Sequence, residues 1–200
     1  MKKLLLLLLF IPLVSCQDKT SNKKAITNDH YGAIADLTKA IEHDPDSANA
    51  YHNRGVLKAT INDHYGAIED YTKAIELDPD YTEAYTNRGA SRTALVIDLE
   101  GALADHNKAI ELDPDFALAY VNRGNSKRDL NDNKGAIEDF NKAIELDPNN
   151  AVAYYARSFA VEKYVAIADL TKVIELEPNY AEAYYNRGVV KKRLGDLTGA

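Results

Sequence analysis

Hydrophobic and polar positions between residues 48 and 79 fall into two helical stretches. The second is the clearer. Ala67, Ile68, Tyr71, Ala74, Ile75 and Leu77 stand at i, i+1, i+4, i+7, i+8 and i+10, one broad face of a helix over about 65–77. The first, over about 48–60, carries Ala50, Tyr51, Arg54, Gly55 and Lys58, with Ile61 following. Asn62 and Asp63 lie between them, residues suited to ending one helix and capping the next. The pattern predicts a helical hairpin, and it recurs. Residues 28–34, NDHYGAI, return unchanged as residues 62–68. Pro45, Pro79, Pro114, Pro148 and Pro178 close five units, at separations of 34, 35, 34 and 30 residues. Each proline can stop one helix and start the next hairpin. A single hairpin cannot cover its own apolar face, so neighbours must stack. The expected fold is all-α, an α-solenoid of stacked antiparallel helix hairpins.

Smaller residues support close packing. Gly55, Gly89, Gly124 and Gly188 each follow a tyrosine by four residues: Tyr51, Tyr85, Tyr120 and Tyr184. In the fifth unit Tyr154 is followed by Ser158. Glycine inside a helix costs about 1 kcal/mol relative to alanine, so four in register require helices that approach too closely for a side chain. Ala33, Ala67, Ala102, Ala136 and Ala166 open the second helices. Four residues later stand Leu37, Tyr71, His106, Phe140 and Leu170. This aromatic–Gly, Ala–x3–aromatic, Pro pattern resembles the tetratricopeptide repeat over residues 28–200. The resemblance implies a superhelix of such hairpins that holds a protein or peptide in a concave groove lined by the first helices. The divisions expected are a half repeat at 28–47, repeats at 48–81, 82–116, 117–150 and 151–180, and a partial repeat at 181–200.

The chain departs from that family pattern in ways that matter. Arginine stands before the glycine position in every unit, as Arg54, Arg88, Arg123, Arg157 and Arg187. An aspartate set matches it: Asp36, Asp70, Asp105, Asp139 and Asp169. Pairing inside each hairpin would orphan Asp36 and Arg187. Pairing each arginine with the aspartate of the preceding hairpin closes all five, and that inter-repeat ladder is the expectation, with the arginine fork suited to a carboxylate. The first unit has only a second helix. The third gains one residue near 95–100, and the fifth lacks four, which should shorten its first helix or merge its turn near 159–164. Residues 184–194 either cap the array or belong to a longer one, with Lys191, Lys192 and Arg193 making that end polar.

Candidate ligand residues come from the same resemblance. Asn53, Asn87, Asn122 and Asn186 precede the arginine in four units, Ala156 in the other. An amide offers both donors and acceptors and so suits capture of a peptide backbone; repetition of the unit alone would also produce the row. His52, Thr86, Val121, Tyr155 and Tyr185, then Val56, Ala90, Asn125, Phe159 and Val189, are expected to face the same groove. Family members that clamp acidic carboxyl tails use a lysine where this chain has Asn49, Glu83, Leu118, Val152 and Glu182, which disfavours that ligand class.

The N-terminus carries a separate message. Lys2 and Lys3 precede an apolar run over 4–14, too short for the roughly 20 helical residues that span a bilayer but suited to a secretory signal. Leu13-Val14-Ser15-Cys16 resembles the bacterial lipoprotein motif. That resemblance implies a signal peptide at 1–15, lipidation of Cys16, a flexible polar tether at 16–27, and export to a lipid-anchored place at the cell envelope, on the periplasmic or outer-membrane face of a double-membrane bacterium. Several acyl chains would hold it stably. Loss of Lys2 and Lys3 leaves 22 basic against 31 acidic residues, a net charge of −9. Such a balance gives no support for nucleic-acid binding. Cys16 is the lone cysteine and the five histidines are scattered, so no disulfide or metal site is expected. No phosphate loop, nucleophile elbow or His-Glu-x-x-His motif is present, so neither a cofactor nor catalysis is expected. The alternatives to a peptide-holding scaffold are a self-associating module, forming homo-oligomers through its open end, and an accessory subunit of an enzyme.

Overall fold

A computed structural model describes residues 19–96 and 98–195, with side chains from residue 29 onward. Among the described residues there are ten helices and no strand. They are α1 (Lys19–His43), α2 (Ala48–Thr60), α3 (His64–Leu77), α4 (Thr82–Leu95), α5 (Leu99–Leu112), α6 (Ala117–Asp129), α7 (Asn133–Leu146), α8 (Ala151–Arg157), α9 (Lys163–Leu176) and α10 (Ala181–Arg193). The fold is all-α and of the helical-solenoid class. The helices form two compact units, one running to Lys108 and the other from Ala109.

In the first unit α1 packs on α2, α2 on α3, and α3 on α4. The α2–α3 turn works as its residues suggest. Asn62 takes the left-handed conformation at φ 65°, which asparagine tolerates well, and the Asp63 carboxylate accepts the Gly66 N–H at 3.0 Å. The added residue of the third unit goes into α4, and Val96 then closes that helix at φ 54°. Asp98 accepts the Gly101 N–H at 2.8 Å and starts α5. Between hairpins the Asp-Pro-Asp turns are also local. Asp44 and Asp78 accept the N–H of Asp46 and Asp80 at 3.3 and 3.2 Å.

In the second unit α6 packs on α7, α7 on α8, α8 on α9, and α9 on α10. Asn131 and Asp132 repeat the turn chemistry of Asn62 and Asp63, with Asp132 accepting from Gly135 at 2.9 Å. The four-residue loss in the fifth unit falls on α8, which has only 7 residues where α6 and α10 have 13.

The core shows why glycine recurs. Tyr71, His106, Phe140 and Leu170 are buried, the first three directly opposite Gly55, Gly89 and Gly124. A Cβ placed on Gly55 would lie 2.7 Å from Tyr71, and one on Gly124 2.6 Å from Phe140. The alanines opening α3, α5, α7 and α9 are buried as well.

One expectation needs correction. Residues 19–27 do not form an irregular tether, because α1 runs through them without a break. No proline or glycine lies in that stretch to stop it. The same residues 28–29 that open a turn elsewhere are therefore helical. The signal peptide and Cys16 lie outside the described residues.

Candidate functional site

The arginine–aspartate ladder runs inside hairpins, not between them. Arg54 Nε and Nη2 donate to the two oxygens of Asp70 at 2.9 and 2.7 Å. Arg88 grips Asp105 in the same way at 3.0 and 2.6 Å, Arg123 grips Asp139 at 2.9 and 2.6 Å, and Arg157 grips Asp169 at 2.9 and 2.6 Å. The expected pairs 36–54, 70–88, 105–123, 139–157 and 169–187 are thus replaced. The reason is register. Each arginine adjoins the glycine position and each aspartate adjoins the residue packed against it, so Gly55–Tyr71 contact forces Arg54 beside Asp70. The hydrogen bond to Asp70 raises the Arg54 pKa further above its already high value.

The same arginines do reach the preceding hairpin, through a third nitrogen and a neutral acceptor. Arg54 Nη1 donates to Thr38 Oγ1 at 3.1 Å and Arg88 Nη1 to Thr72 Oγ1 at 3.2 Å. Arg157 Nη1 donates to Asn141 Oδ1 at 2.6 Å and Arg187 Nη1 to Thr171 Oγ1 at 3.3 Å. Each guanidinium also stands 5.4–5.6 Å from the ring of the tyrosine three residues earlier. A second cation one turn later completes three of the clusters. Lys58 reaches Asp70 at 2.8 Å, Arg92 reaches Asp105 at 2.7 Å, and Lys127 reaches Asp139 at 2.8 Å. These buried carboxylates have fixed, saturated partners, which makes them supports for the helices rather than ligand groups. Asp36 is left on the surface beside Lys39 at 3.5 Å.

The candidate ligand residues divide into linked and open ones. In the first unit Asn87 Nδ2 donates to His52 Nε2 at 3.0 Å. The His52 ring lies 4.7 Å from the Tyr81 ring, and the Tyr81 hydroxyl donates to Asn49 Oδ1 at 2.8 Å. Burial lowers the His52 pKa, which keeps Nε2 an acceptor near neutrality. In the second unit Asn186 Nδ2 donates to the Tyr155 hydroxyl at 2.9 Å. Tyr155 meets Phe159 and Tyr180 edge-on, at 5.0 and 5.1 Å. Burial pushes the Tyr180 hydroxyl up to about 12. Both linked asparagines therefore bond the side chain beside the tyrosine of the preceding hairpin. Where Ala156 replaces asparagine, the matching residue is apolar Val121, and both are buried.

Open positions remain. Asn53, Val56, Phe159 and Tyr185 are exposed, Tyr185 at 72%. Asn122 is half-buried, and Thr86 and Val121 are buried. Tyr81 and Tyr180 were not among the sequence candidates. Their signal was present, as an aromatic two residues after a hairpin-closing proline, repeated in Phe116. Among the described residues no three His, Cys, Asp or Glu side chains converge as metal ligands, and no helix is long and apolar enough to cross a membrane.

Comparison with known proteins bears on this arrangement. A family model described as tetratricopeptide repeat matches residues 48–81, and one described as TPR repeat matches 124–163 and 166–195. No curated protein matches the sequence. Among solved structures the chain is similar to MamA, with 26% identity over 84% of this chain and 99% of that one and a TM-score of 0.65. It is similar to YrrB, described as a TPR protein with an unusual peptide-binding site, with 25% identity over 82% and 86% of the two chains and a TM-score of 0.60. PilW, described as a type IV pilus biogenesis factor, shares the fold with a TM-score of 0.78 over 92% and 90% of the chains, at 19% identity.

Proposed function

This chain carries tetratricopeptide repeats, and we propose that it uses them as a non-catalytic scaffold, holding a protein or peptide against the row of first helices at the bacterial cell envelope. The observation that carries this reading is the set of open polar and aromatic groups on those helices. Asn53 and Tyr185 are exposed, while the helix-holding charges are saturated elsewhere. An exposed amide can both donate to and accept from a peptide backbone. The peptide-binding site described for YrrB supports the same class of ligand. The envelope location rests on the signal-like run before Cys16. The test is recovery of partners from the protein's own membranes, comparing the native chain with Asn53→Ala, Asn87→Ala and Asn122→Ala combined. Loss of a specific partner is expected; equal recovery of every partner would remove the groove. The mass of the mature N-terminus tests lipidation, and an unmodified thiol at Cys16 would remove the anchor.

A second reading, self-association, is favoured by α1. Its Asp36 and Ala40 are exposed, although their counterparts Asp70 and Ala74 are buried under α2. A helix from a second copy could cover that face. Sedimentation of the full chain and of Leu37→Glu should then differ; a monomer in both removes this reading.

A further inference from the structure

The shortened helix α8 leaves a space that the other first helices fill. α6 continues past its glycine for five residues, to Asp129, and Lys127 there joins the grip on Asp139 at 2.8 Å. α8 stops at Arg157, and Asp169, though buried, receives Arg157 alone among the described residues. Ser158 caps the helix and donates to the Tyr155 carbonyl at 2.7 Å, and the chain then crosses to α9 as irregular backbone. The missing turns would have run between α9 and α10. In their place is a cavity of about 350 Å³.

Its lining is divided by chemistry. Leu170 and Ala166 of α9 and Val189 and Val190 of α10 supply apolar wall, with Phe159 at the connection. Asn186 lines it too, and since its Nδ2 is engaged by Tyr155, its Oδ1 is the group left to accept a bond. Lys163 and Arg193 stand at the rim, exposed and without a carboxylate partner among the described residues. Both add positive charge at this rim of a chain whose net charge is −7. A void of about 150 Å³ accepts benzene when its walls are apolar, so this one has room for a large side chain and part of its backbone.

We propose that this cavity is a separate binding pocket for an acidic peptide segment, taking one bulky apolar side chain inside and pairing flanking carboxylates with Lys163 and Arg193. The site takes Asn186, Phe159 and Val189 from the groove positions but none of Asn53, Asn87 and Asn122, so it rests on the scaffold reading only in part and can fail separately from it. Charge complementarity at the rim selects the acidic peptide, and the apolar wall selects its anchor.

The chain has no tryptophan, so a probe peptide reports its own burial. The probe is an acetylated, amidated heptapeptide with a central Glu-Trp-Glu, titrated against the full chain. A saturable blue shift of tryptophan emission is expected, with affinity falling as salt rises. Val189→Phe, which fills the cavity, should weaken binding by about tenfold or more. Lys163→Glu with Arg193→Glu should weaken it by about tenfold. Because both rim residues are exposed, that pair tests the proposal even if the filled variant misfolds, and circular dichroism checks each fold. The combined alanine variant of Asn53, Asn87 and Asn122 should bind the probe unchanged. Absence of a blue shift, equal affinity for a Gln-Trp-Gln peptide, or unchanged binding by the rim variant overturns the proposal. Loss of probe binding in that variant also overturns it, by placing the ligand on Asn53, Asn87 and Asn122 instead.

Discussion

Residues 28–46 and 62–80 are the same at sixteen of nineteen positions, yet they live in different surroundings. The first copy lies in α1 up to His43, and the second makes the turn into α3 and then α3 up to Leu77, each ending in the turn that follows. Asn62 turns the chain with φ 65°, whereas residue 28 lies in uninterrupted helix. The Asp36 side chain is 78% exposed and the Asp70 side chain 4%. Ala67 and Ala74 are fully buried, whereas Ala33 is half-buried and Ala40 exposed. One face nevertheless behaves alike in both. Thr38 and Thr72 each donate to the carbonyl four residues back, at 2.8 and 2.7 Å, and each accepts from the arginine of the next hairpin. The face toward the following hairpin is thus set by local sequence, while the opposite face is set by whether a first helix covers it.

The largest effect should separate the two aspartates. Asp70→Ala leaves Arg54 and Lys58 side by side with no acid, and breaking such a buried cluster costs about 3–5 kcal/mol. Asp36→Ala removes an exposed i,i+3 pair and should change stability by less than about 0.5 kcal/mol. Urea midpoints of the two variants check this. Equal shifts would mean that α2 does not seal Asp70 as described.

Next in size is the contact that α3 has and α1 lacks, Gly55 over Tyr71. Gly55→Ala should destabilise by about 1–3 kcal/mol through overpacking against the ring, although alanine is the better helix former by about 1 kcal/mol. Thermal unfolding that shows a gain would remove the close-approach account of the glycines.

A smaller contrast concerns Gly32 and Gly66, which occupy the same place in the two copies. A Cβ on Gly32 meets nothing within 4 Å, so Gly32→Ala should stabilise by about 0.5–1 kcal/mol. A Cβ on Gly66 would run into the Asp63 carboxylate that caps α3, so Gly66→Ala should cost about 1 kcal/mol by disturbing that cap. Opposite signs in the two melting curves are the expected result.

These contrasts show what was legible in the sequence. Helices, turns, and the glycine–aromatic contacts follow from periodicity, proline spacing and small residues, because each depends on neighbours a few positions away. The Arg–Asp pairing was misread because counting closed pairs favoured the inter-hairpin scheme. The better signal was adjacency: arginine next to glycine, aspartate next to the residue that glycine faces. The helical course of residues 19–29 was missed for a related reason. NDHY looks like a turn, but it becomes one only where a first helix folds back on it. The candidate site was legible as a row of positions and not as bonds. The link from Asn87 to His52 joins residues 35 positions apart, which the repeat period alone does not specify.

The smallest prediction concerns the histidine shared by both copies. His30 sits half-buried within α1, whereas His64 is buried at the first position of α3. Burial lowers the His64 pKa below its ordinary 6.5, partly offset by Asp63, and the helix N-terminus likewise disfavours a cation there. A histidine whose folded-state pKa is depressed binds its proton more readily when unfolded. The unfolded chain then holds more protons as pH falls below about 6.5, so stability is retained above that value and declines as pH drops toward the folded pKa. His52 acts in the same direction, since burial lowers its pKa too. Between pH 7.5 and 5.5 ordinary carboxylates stay ionised, so the histidines dominate the change. The urea midpoint of the native chain should be lower at pH 5.5 than at pH 7.5, and His64→Gln should reduce that difference. A difference unaltered by the substitution would mean that the turn before α3 opens freely enough to hydrate His64, and the contrast with α1 would then rest on Asp70 and Gly66 alone.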